Sequence, residues 1–429
     1  MHFTTHILPN GLPALFVDTQ AFPSITTMIL VGAGSRYETP ENNGIAHFFE
    51  HMAFKGSAKY PTAFDISSTI EGMGGVFNAF TSKDHTGYYV KAPGSHFEEV
   101  ARVLSDMILH STIDPEEIER EKNVIVEEIN MYEDMPARRV SDYFDELIFK
   151  GHPLACDVAG SEKTVRASTR KTFTQYIDQL YHPDNAVVVV AGGLSFGSKP
   201  SEGISKYTRI IEETFGGWGG ISQKPSRHFT HTQKTPLVSV HHKQTEQAHF
   251  CLGYRTFGLQ DPRRYALTLL STILGGGMSS RLFIEVRERR GLCYYVSTGR
   301  ELYTDTGYLV TQAGVTNNIS QLNEAIKVII GEHEKISAGS ITEEELSKAK
   351  EQVKGRMLLS LEDSYHVASL EGTKYLFEHK TVTPEELITR IEQVTKDEVC
   401  SLAKEIIQPK GLSVTVVGPY TKKDIQPLS

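Results

Sequence analysis

The chain has 429 residues and a mass of 47.8 kDa, about three times the length of a typical domain, so we expect more than one domain. Apolar residues make up 39% and charged residues 23% of it, which excludes a disordered, collagen-like or low-complexity chain. The net charge of −9 argues against a nucleic-acid partner, because such a partner requires a basic face.

The termini, the hydropathy and the cysteines predict where the protein works. The first residues lack the basic start and apolar run of a secretory signal, and no stretch approaches the ~18 apolar residues of a membrane span. The four cysteines are far apart and form no CxxC pair, which argues against a disulfide framework or a cysteine zinc site. We therefore expect a cytoplasmic protein with reduced thiols and no membrane span.

The chain opens with strand patterns. Apolar and β-branched residues at 12–17 and 25–31 predict two strands, and the Pro-Asn-Gly sequence at Pro9–Gly11 predicts a turn before the first of them. The start of the chain is therefore predicted to be hairpin-like.

Helix patterns follow. Over residues 44–54, apolar side chains recur at spacings of three and four, which predicts a helix. Asp114 begins a second helix, since Asp-Pro-Glu-Glu supplies an N-cap, a proline in the first turn and early acidic residues. A capping-box pattern at Thr342 predicts a long helical stretch to about Phe377, and residues 204–215 predict a shorter helix.

An internal repeat predicts the domain organisation. Residues 167–192 align with residues 393–418 at a constant offset of 226, with five identities that include the turn proline, two strand valines and the final glycine. The predicted segments are an N-terminal domain, a linker, a homologous C-terminal domain and a frayed tail, at residues 1–197, 198–235, 236–420 and 421–429.

The mixture of hairpins and long helices predicts an α+β fold, in which each domain has a mostly antiparallel sheet covered by helices. A doubly wound parallel sheet is the alternative. The sequence has no GxGxxG or Walker-type loop after a strand, which disfavours a nucleotide-binding form of it.

The sequence His-Phe-Phe-Glu-His lies on the first predicted helix and carries the strongest chemical signal. His47 and His51 are four residues apart, so they share one helix face and can bind one metal ion, with Glu50 close by. This is the HxxEH pattern of the inverzincins, in which the glutamate acts as a general base. An acidic residue in so apolar a segment is costly unless a metal ion or a partner compensates for its charge.

A catalytic zinc site takes three protein ligands, so a third ligand is required. The helix that begins at Asp114 supplies three candidates, Glu121, Glu127 and Glu128. Glu121 and Glu128 are two helical turns apart and share a face, whereas Glu127 is rotated by about 100° from Glu128. Spacing alone does not decide between Glu127 and Glu128.

Four stretches resemble one family of enzymes. GIAHFFEHMAFKGS, FNAFTSKDHTGYY, EREKNVIVEEINMYED and LGGGMSSRLFIEVRERRGLCYYV resemble the pitrilysin/insulinase family of zinc metallopeptidases, and most of all its mitochondrial-processing-peptidase-like subfamily of short, two-domain members. The resemblance implies one zinc ion per chain, bound by His47, His51 and Glu128, since 128 − 51 = 77 matches the family spacing. It makes Glu50 the base that activates water at the zinc ion and Glu121 a supporting acid. In this family the second domain lacks the ligands.

The resemblance also implies substrate contacts. Asn78, Ala79 and Phe80 correspond to an edge strand on which a peptide adds as a further β-strand. Arg287 and Tyr294 correspond to a pair that contacts the substrate and helps to stabilise the oxyanion.

The expected function is a zinc-dependent endopeptidase that hydrolyses unfolded peptides or extended segments inside a closed chamber. Single-chain members of the family have four domains, with the metal in the first and the Arg/Tyr pair in the fourth. This chain has two domains and carries both features, so we expect two copies of it to form the chamber. In such a homodimer each zinc site uses Arg287 and Tyr294 of the other copy; a heterodimer with a motif-lacking homologue is the alternative. The competing functions are a processing peptidase for targeting segments and a non-catalytic subunit of a larger complex.

Overall fold

The structure is a computed structural model that describes residues 1–195, 200–230 and 232–425. Its contacts divide the chain into two compact units, each composed of three segments. The first unit comprises Met1–Ile129, Cys156–Arg227 and Leu358–Thr383. The second unit comprises Asn130–Ala155, His228–Met357 and Pro384–Ser429.

Each unit contains one β-sheet. The strands of the first sheet are β1 His2–Ile7, β2 Pro13–Asp18, β3 Ser24–Val31, β4 Val76–Thr81, β5 Thr86–Pro93 and β6 Ala186–Gly192. The strands of the second are β7 Leu237–His242, β8 Gln247–Phe257, β9 Tyr295–Leu302, β10 Thr306–Thr316 and β11 Ser413–Gly418.

Helices connect and cover these strands. The first seven are α1 Ile45–Met52, α2 Ala63–Gly72, α3 Phe97–Leu109, α4 Pro115–Glu133, α5 Pro136–Ile148, α6 Glu162–Ala167 and α7 Arg170–Leu180. The others are α8 Pro200–Phe215, α9 Arg264–Gly275, α10 Ile319–Ser337, α11 Glu343–Ser360, α12 Ser364–Glu378, α13 Pro384–Gln393 and α14 Lys396–Ile406. A π-helical segment lies at Phe283–Glu288.

The two sheets have the same topology. The first has the order β1-β2-β6-β3-β5-β4 and the second the order β7-β11-β8-β10-β9, which repeats the first without β1. All neighbouring strands are antiparallel except one parallel pair in each sheet, β2 with β6 and β7 with β11. The α+β class and the duplicated, mostly antiparallel sheet are therefore confirmed. The predicted offset also recurs, because α7 and α14 start at residues 170 and 396, and 396 − 170 = 226.

Each half of the sequence contributes one helix to the unit that is built mainly from the other half. The predicted division at residues 197 and 236 did not include this exchange. α5 belongs to the second unit and packs on β8 and β11, while α12 belongs to the first unit and packs on β3 and β6. The two helices are equivalent in the repeat, since their starts differ by 364 − 136 = 228. An alignment of one half with the other shows that two helices correspond, but it does not show on which sheet each helix packs.

Three further expectations differ from the structure. The predicted linker contains α8 and Trp218, which pack in the core of the first unit, so apolar burial makes most of it part of that unit. The predicted helix from Thr342 is interrupted at residues 361–363, because the Asp363 side chain accepts a hydrogen bond from the Tyr365 amide and begins α12. The tail packs on the second unit at Ile425, whose side chain is buried in the core of that unit. Residues 196–199, 231 and 426–429 lie outside the described residues.

Two predictions about the whole chain can be compared with the structure. The four cysteines all lie among the described residues and form no disulfide bond. Among the described residues, no helix combines the length and the apolar character that a bilayer crossing requires.

Candidate metal centre

The helix α1, which carries His47, Glu50 and His51, is fixed by its apolar face and by its first turn. Phe48 and Phe49 are fully buried, and their rings make edge-on contacts with Phe173 at 4.9 Å and Tyr181 at 5.0 Å. Ring contacts of this kind, together with the burial of the rings, are among the largest stabilising contributions in a core. The opposite face of the helix is left for polar side chains.

Glu38 caps the first turn of α1 from outside the helix. Its carboxylate accepts hydrogen bonds from the amides of Gly44 and Ala46, both at 2.8 Å, and so satisfies donors that a helix start leaves unpaired. Burial raises the pKa of Glu38 to about 7, although these two hydrogen bonds lower it. Gly44 has φ +96° and lies so close to the Ala159 carbonyl that a Cβ atom would be 2.6 Å from it, so a glycine is required there.

His47, His51 and Glu128 come together as a possible metal site. The Nε2 atoms of both histidines lie 3.6 Å from Glu128 Oε2, and the three possible ligand atoms are all within 4.8 Å of one another. Two ligands at 2.0–2.1 Å from a tetrahedral zinc ion are about 3.4 Å apart, so these residues fit zinc. Two imidazoles and one carboxylate are also a known ligand set of catalytic zinc, which keeps a fourth position open.

The helix α4 places the two candidate glutamates differently. It directs Glu128 towards the two histidines and leaves Glu127 exposed to solvent. Glu121 lies on the same face and accepts a hydrogen bond from His51 Nδ1 at 2.9 Å. A proton on Nδ1 leaves the lone pair of His51 Nε2 for a metal ion.

Glu121 has a second partner, Lys55, whose Nζ lies 2.6 Å from Glu121 Oε2. Burial alone would raise the pKa of Glu121, but the hydrogen bonds from His51 and Lys55 outweigh it and hold that pKa below its ordinary value. Glu121 is therefore ionised at neutral pH and accepts from both groups. No sequence pattern marks Lys55, because a lysine four residues after His51 carries no signal of its own.

Glu50 is half-buried beside this cluster. Its Oε2 atom accepts a hydrogen bond from Thr81 Oγ1 at 2.7 Å. Burial raises the pKa of Glu50, as does the charge of Glu128, while Thr81 and His51 lower it. A carboxylate with a raised pKa is suited to accept and return a proton near neutral pH.

Comparison with known proteins places this arrangement in a family. The sequence model described as Insulinase (Peptidase family M16) matches residues 16–162, and the one described as Peptidase M16 inactive domain matches residues 168–353. A Bacillus subtilis protein named an uncharacterized zinc protease is 36% identical, over 92% of this chain and 94% of its own length. The chain belongs to the insulinase family, peptidase family M16. A similarly named protein of Mycobacterium leprae is 33% identical over 98% of this chain and 92% of its own length.

Two solved structures share the fold of this chain. A protease from Helicobacter pylori superposes with a TM-score of 0.88 at 23% identity and covers 97% of this chain and 99% of its own. A Pseudomonas fluorescens structure described as a peptidase M16 inactive domain also has a TM-score of 0.88, at 19% identity, and covers 98% of each chain. These likenesses support the fold.

The second unit of this M16 chain does not repeat the metal site. Equivalent edge strands β4 and β9 start at residues 76 and 295, an offset of 295 − 76 = 219. At that offset His47 and His51 correspond to Ala266 and Leu270 of α9, which are buried and apolar. Among the described residues, the cluster in the first unit is the only group of three suitable ligands.

The predicted substrate contacts of the M16 chain form two groups, one in each unit. Asn78, Ala79 and Phe80 lie on β4, at the edge of the first sheet, and the Ala79 amide donates to Asn78 Oδ1 at 2.9 Å. In the second unit, the Arg287 guanidinium lies 5.7 Å from the centre of the Tyr294 ring, and Tyr294 is 74% exposed. Arg287 and Tyr294 are therefore neighbours, and the role of all five residues in substrate binding stays a prediction.

Proposed function

We propose that this chain is a zinc-dependent endopeptidase that hydrolyses unfolded peptides or extended segments of larger proteins. The observation that carries the proposal is the convergence of His47, His51 and Glu128 with the half-buried carboxylate of Glu50 beside them. The names of the relatives, which call them zinc proteases, support the same activity.

The residues of the site have separate roles in the proposed reaction. His47, His51 and Glu128 would hold the zinc ion, which supplies a Lewis acid that polarises a peptide carbonyl and makes water more acidic. Glu50 accepts a proton from the attacking water as the water oxygen bonds to the carbonyl carbon. When the C–N bond breaks, Glu50 returns that proton to the leaving nitrogen. Glu121 keeps His51 in the tautomer and orientation that a metal ion requires.

The proposed substrate binds along β4. This strand is hydrogen-bonded to β5 on one side and is the last strand of its sheet, so its other side can pair with a peptide. Pairing through main-chain atoms depends little on the peptide sequence. We therefore expect selection by extended conformation, which folded proteins do not offer.

We further propose a homodimer in which each site uses Arg287 and Tyr294 of the other copy, in a closed chamber. The presence of the zinc ligands and of an adjacent Arg/Tyr pair in one chain supports this assembly. A single-chain mass in light scattering, measured under conditions where the protein cleaves peptide, would argue against it. A mass of two chains is expected.

Removal and return of the metal tests the proposed function. The assay follows cleavage of an internally quenched peptide with blocked termini, so that only an endopeptidase gives a signal. A chelator is expected to abolish cleavage, and about one equivalent of zinc per chain should restore it. Zinc binding without cleavage of any peptide would favour a non-catalytic subunit. Cleavage restricted to basic, targeting-like peptides would favour a processing peptidase.

A further inference from the structure

Thr81 connects the edge strand to the carboxylate of Glu50. It is the last residue of β4, and its hydroxyl donates to Glu50 Oε2 at 2.7 Å. Hydrogen bonds to an ionised carboxylate are about twice as strong as those between neutral groups. The side chain of Glu50 is thus tied to a strand far from it in sequence.

The hydroxyl group of Thr86, the nearest neighbour of Thr81 on β5, does not compete with Glu50 for the proton of Thr81. Thr86, which is paired with Thr81 across β4 and β5, donates its hydroxyl proton to the Ala33 carbonyl at 2.7 Å. The Thr81 and Thr86 hydroxyl oxygens are 3.5 Å apart, beyond a strong hydrogen bond. The short contact of Thr81 is the one with Glu50.

We propose that Thr81 is a positioning residue for the peptidase reaction. Its hydroxyl holds Oε2 of Glu50, so that Oε1 is the oxygen that accepts the proton of the attacking water. The terminal torsion of a glutamate is broad, and without such a contact the carboxylate samples many orientations. The inference rests on the proposed function and adds a residue to it.

The position of Thr81 on β4 gives this contact a second consequence. The strand that would pair with a peptide, through Asn78, Ala79 and Phe80, is the strand that holds the base. The residue proposed to orient the base thus lies at the end of the strand proposed to bind the substrate.

Two substitutions at Thr81 and one matched control test the proposal. Thr81→Val keeps the shape and removes the hydroxyl, and we expect kcat to fall by about 10- to 100-fold, the loss of one hydrogen bond to a charged group, with KM and zinc content unchanged. Thr81→Ser restores the donor and should recover most of the activity. Thr27→Val is the control, since Thr27 is a buried threonine of the same sheet whose hydroxyl has no hydrogen-bond partner among the described residues.

A double variant and a binding measurement separate positioning from strand support. In a Glu50→Gln background, Thr81→Val should cause no further loss of cleavage and should leave the Kd of the quenched peptide unchanged. A weaker Kd, a rise of KM alone or a loss of zinc would overturn the inference, because each indicates a structural role. Full activity of Thr81→Val beside an active wild type would refute this inference alone. A wild type that binds zinc and cleaves no peptide would refute the proposed function and this inference together.

Discussion

Replacing Glu121 with glutamine tests whether the acid behind His51 tunes the metal site. The carboxylate accepts from two donors, His51 Nδ1 at 2.9 Å and Lys55 Nζ at 2.6 Å, and glutamine has only one oxygen. If that oxygen faces His51, the new NH₂ group opposes the ammonium group of Lys55. If it faces Lys55, the NH₂ group meets Nδ1, and the histidine proton must move to Nε2, the nitrogen that a metal would use.

Either arrangement weakens the site, and the loss can be estimated. Changes to groups that orient zinc ligands typically cost 10- to 100-fold in metal affinity, about 1.4 to 2.7 kcal/mol. The assay is competition for zinc against a chelator of known affinity at fixed pH. Glu116→Gln on the same helix is the control, because this side chain is 83% exposed and its removal should leave the affinity unchanged. Equal zinc affinity of Glu121→Gln and wild type would refute the role given to Glu121.

Three further predictions concern Glu38, the third candidate ligand and the proposed dimer. Burial raises the pKa of Glu38 from 4.5 to about 7, so this carboxyl keeps its proton to a higher pH in the folded state than in the unfolded state. The free energy of unfolding of wild type, relative to that of Glu38→Gln, should therefore fall by about 3 kcal/mol as the pH rises from 4.5 to 7. Urea titrations in which the two proteins have parallel pH profiles would contradict this. Glu128→Gln should lose zinc in metal analysis while Glu127→Gln keeps it, and the reverse result would mean that the ligand is misassigned. Mixing inactive Glu50→Gln and Arg287→Ala chains should restore activity, because a mixed dimer has one site with an intact Glu50 and an intact Arg287 from the other copy. Random exchange of chains makes about half of the dimers mixed, so about a quarter of all sites should recover. No recovery would count against shared sites.

The sequence was most informative where a local pattern determines a local structure. The spacing of apolar residues predicted α1 over 44–54, and the helix spans Ile45–Met52. The His-Phe-Phe-Glu-His sequence placed two imidazoles on one face of that helix because helical geometry alone requires it. The position of the candidate third ligand depends on how α4 packs, and only the folded chain shows Glu128 facing the histidines and Glu127 facing solvent.

Contacts between distant segments were beyond prediction. Glu38, Lys55 and Thr81 act on the site through hydrogen bonds whose partners are set by tertiary packing, and no motif marks them. The exchange of α5 and α12 between the units has the same origin, since the sheet that each helix covers is set by tertiary packing. A repeat in sequence thus predicts topology better than it predicts the boundaries of the packed units.

The central claim is that Glu50 is the general base of a zinc peptidase. It is tested most directly by cleavage of the blocked, internally quenched peptide with wild type and Glu50→Gln, at equal measured zinc content. The account predicts that the variant keeps zinc and loses cleavage by about 10²- to 10⁴-fold, the usual contribution of a general base. A zinc-loaded Glu50→Gln protein with wild-type cleavage would contradict it.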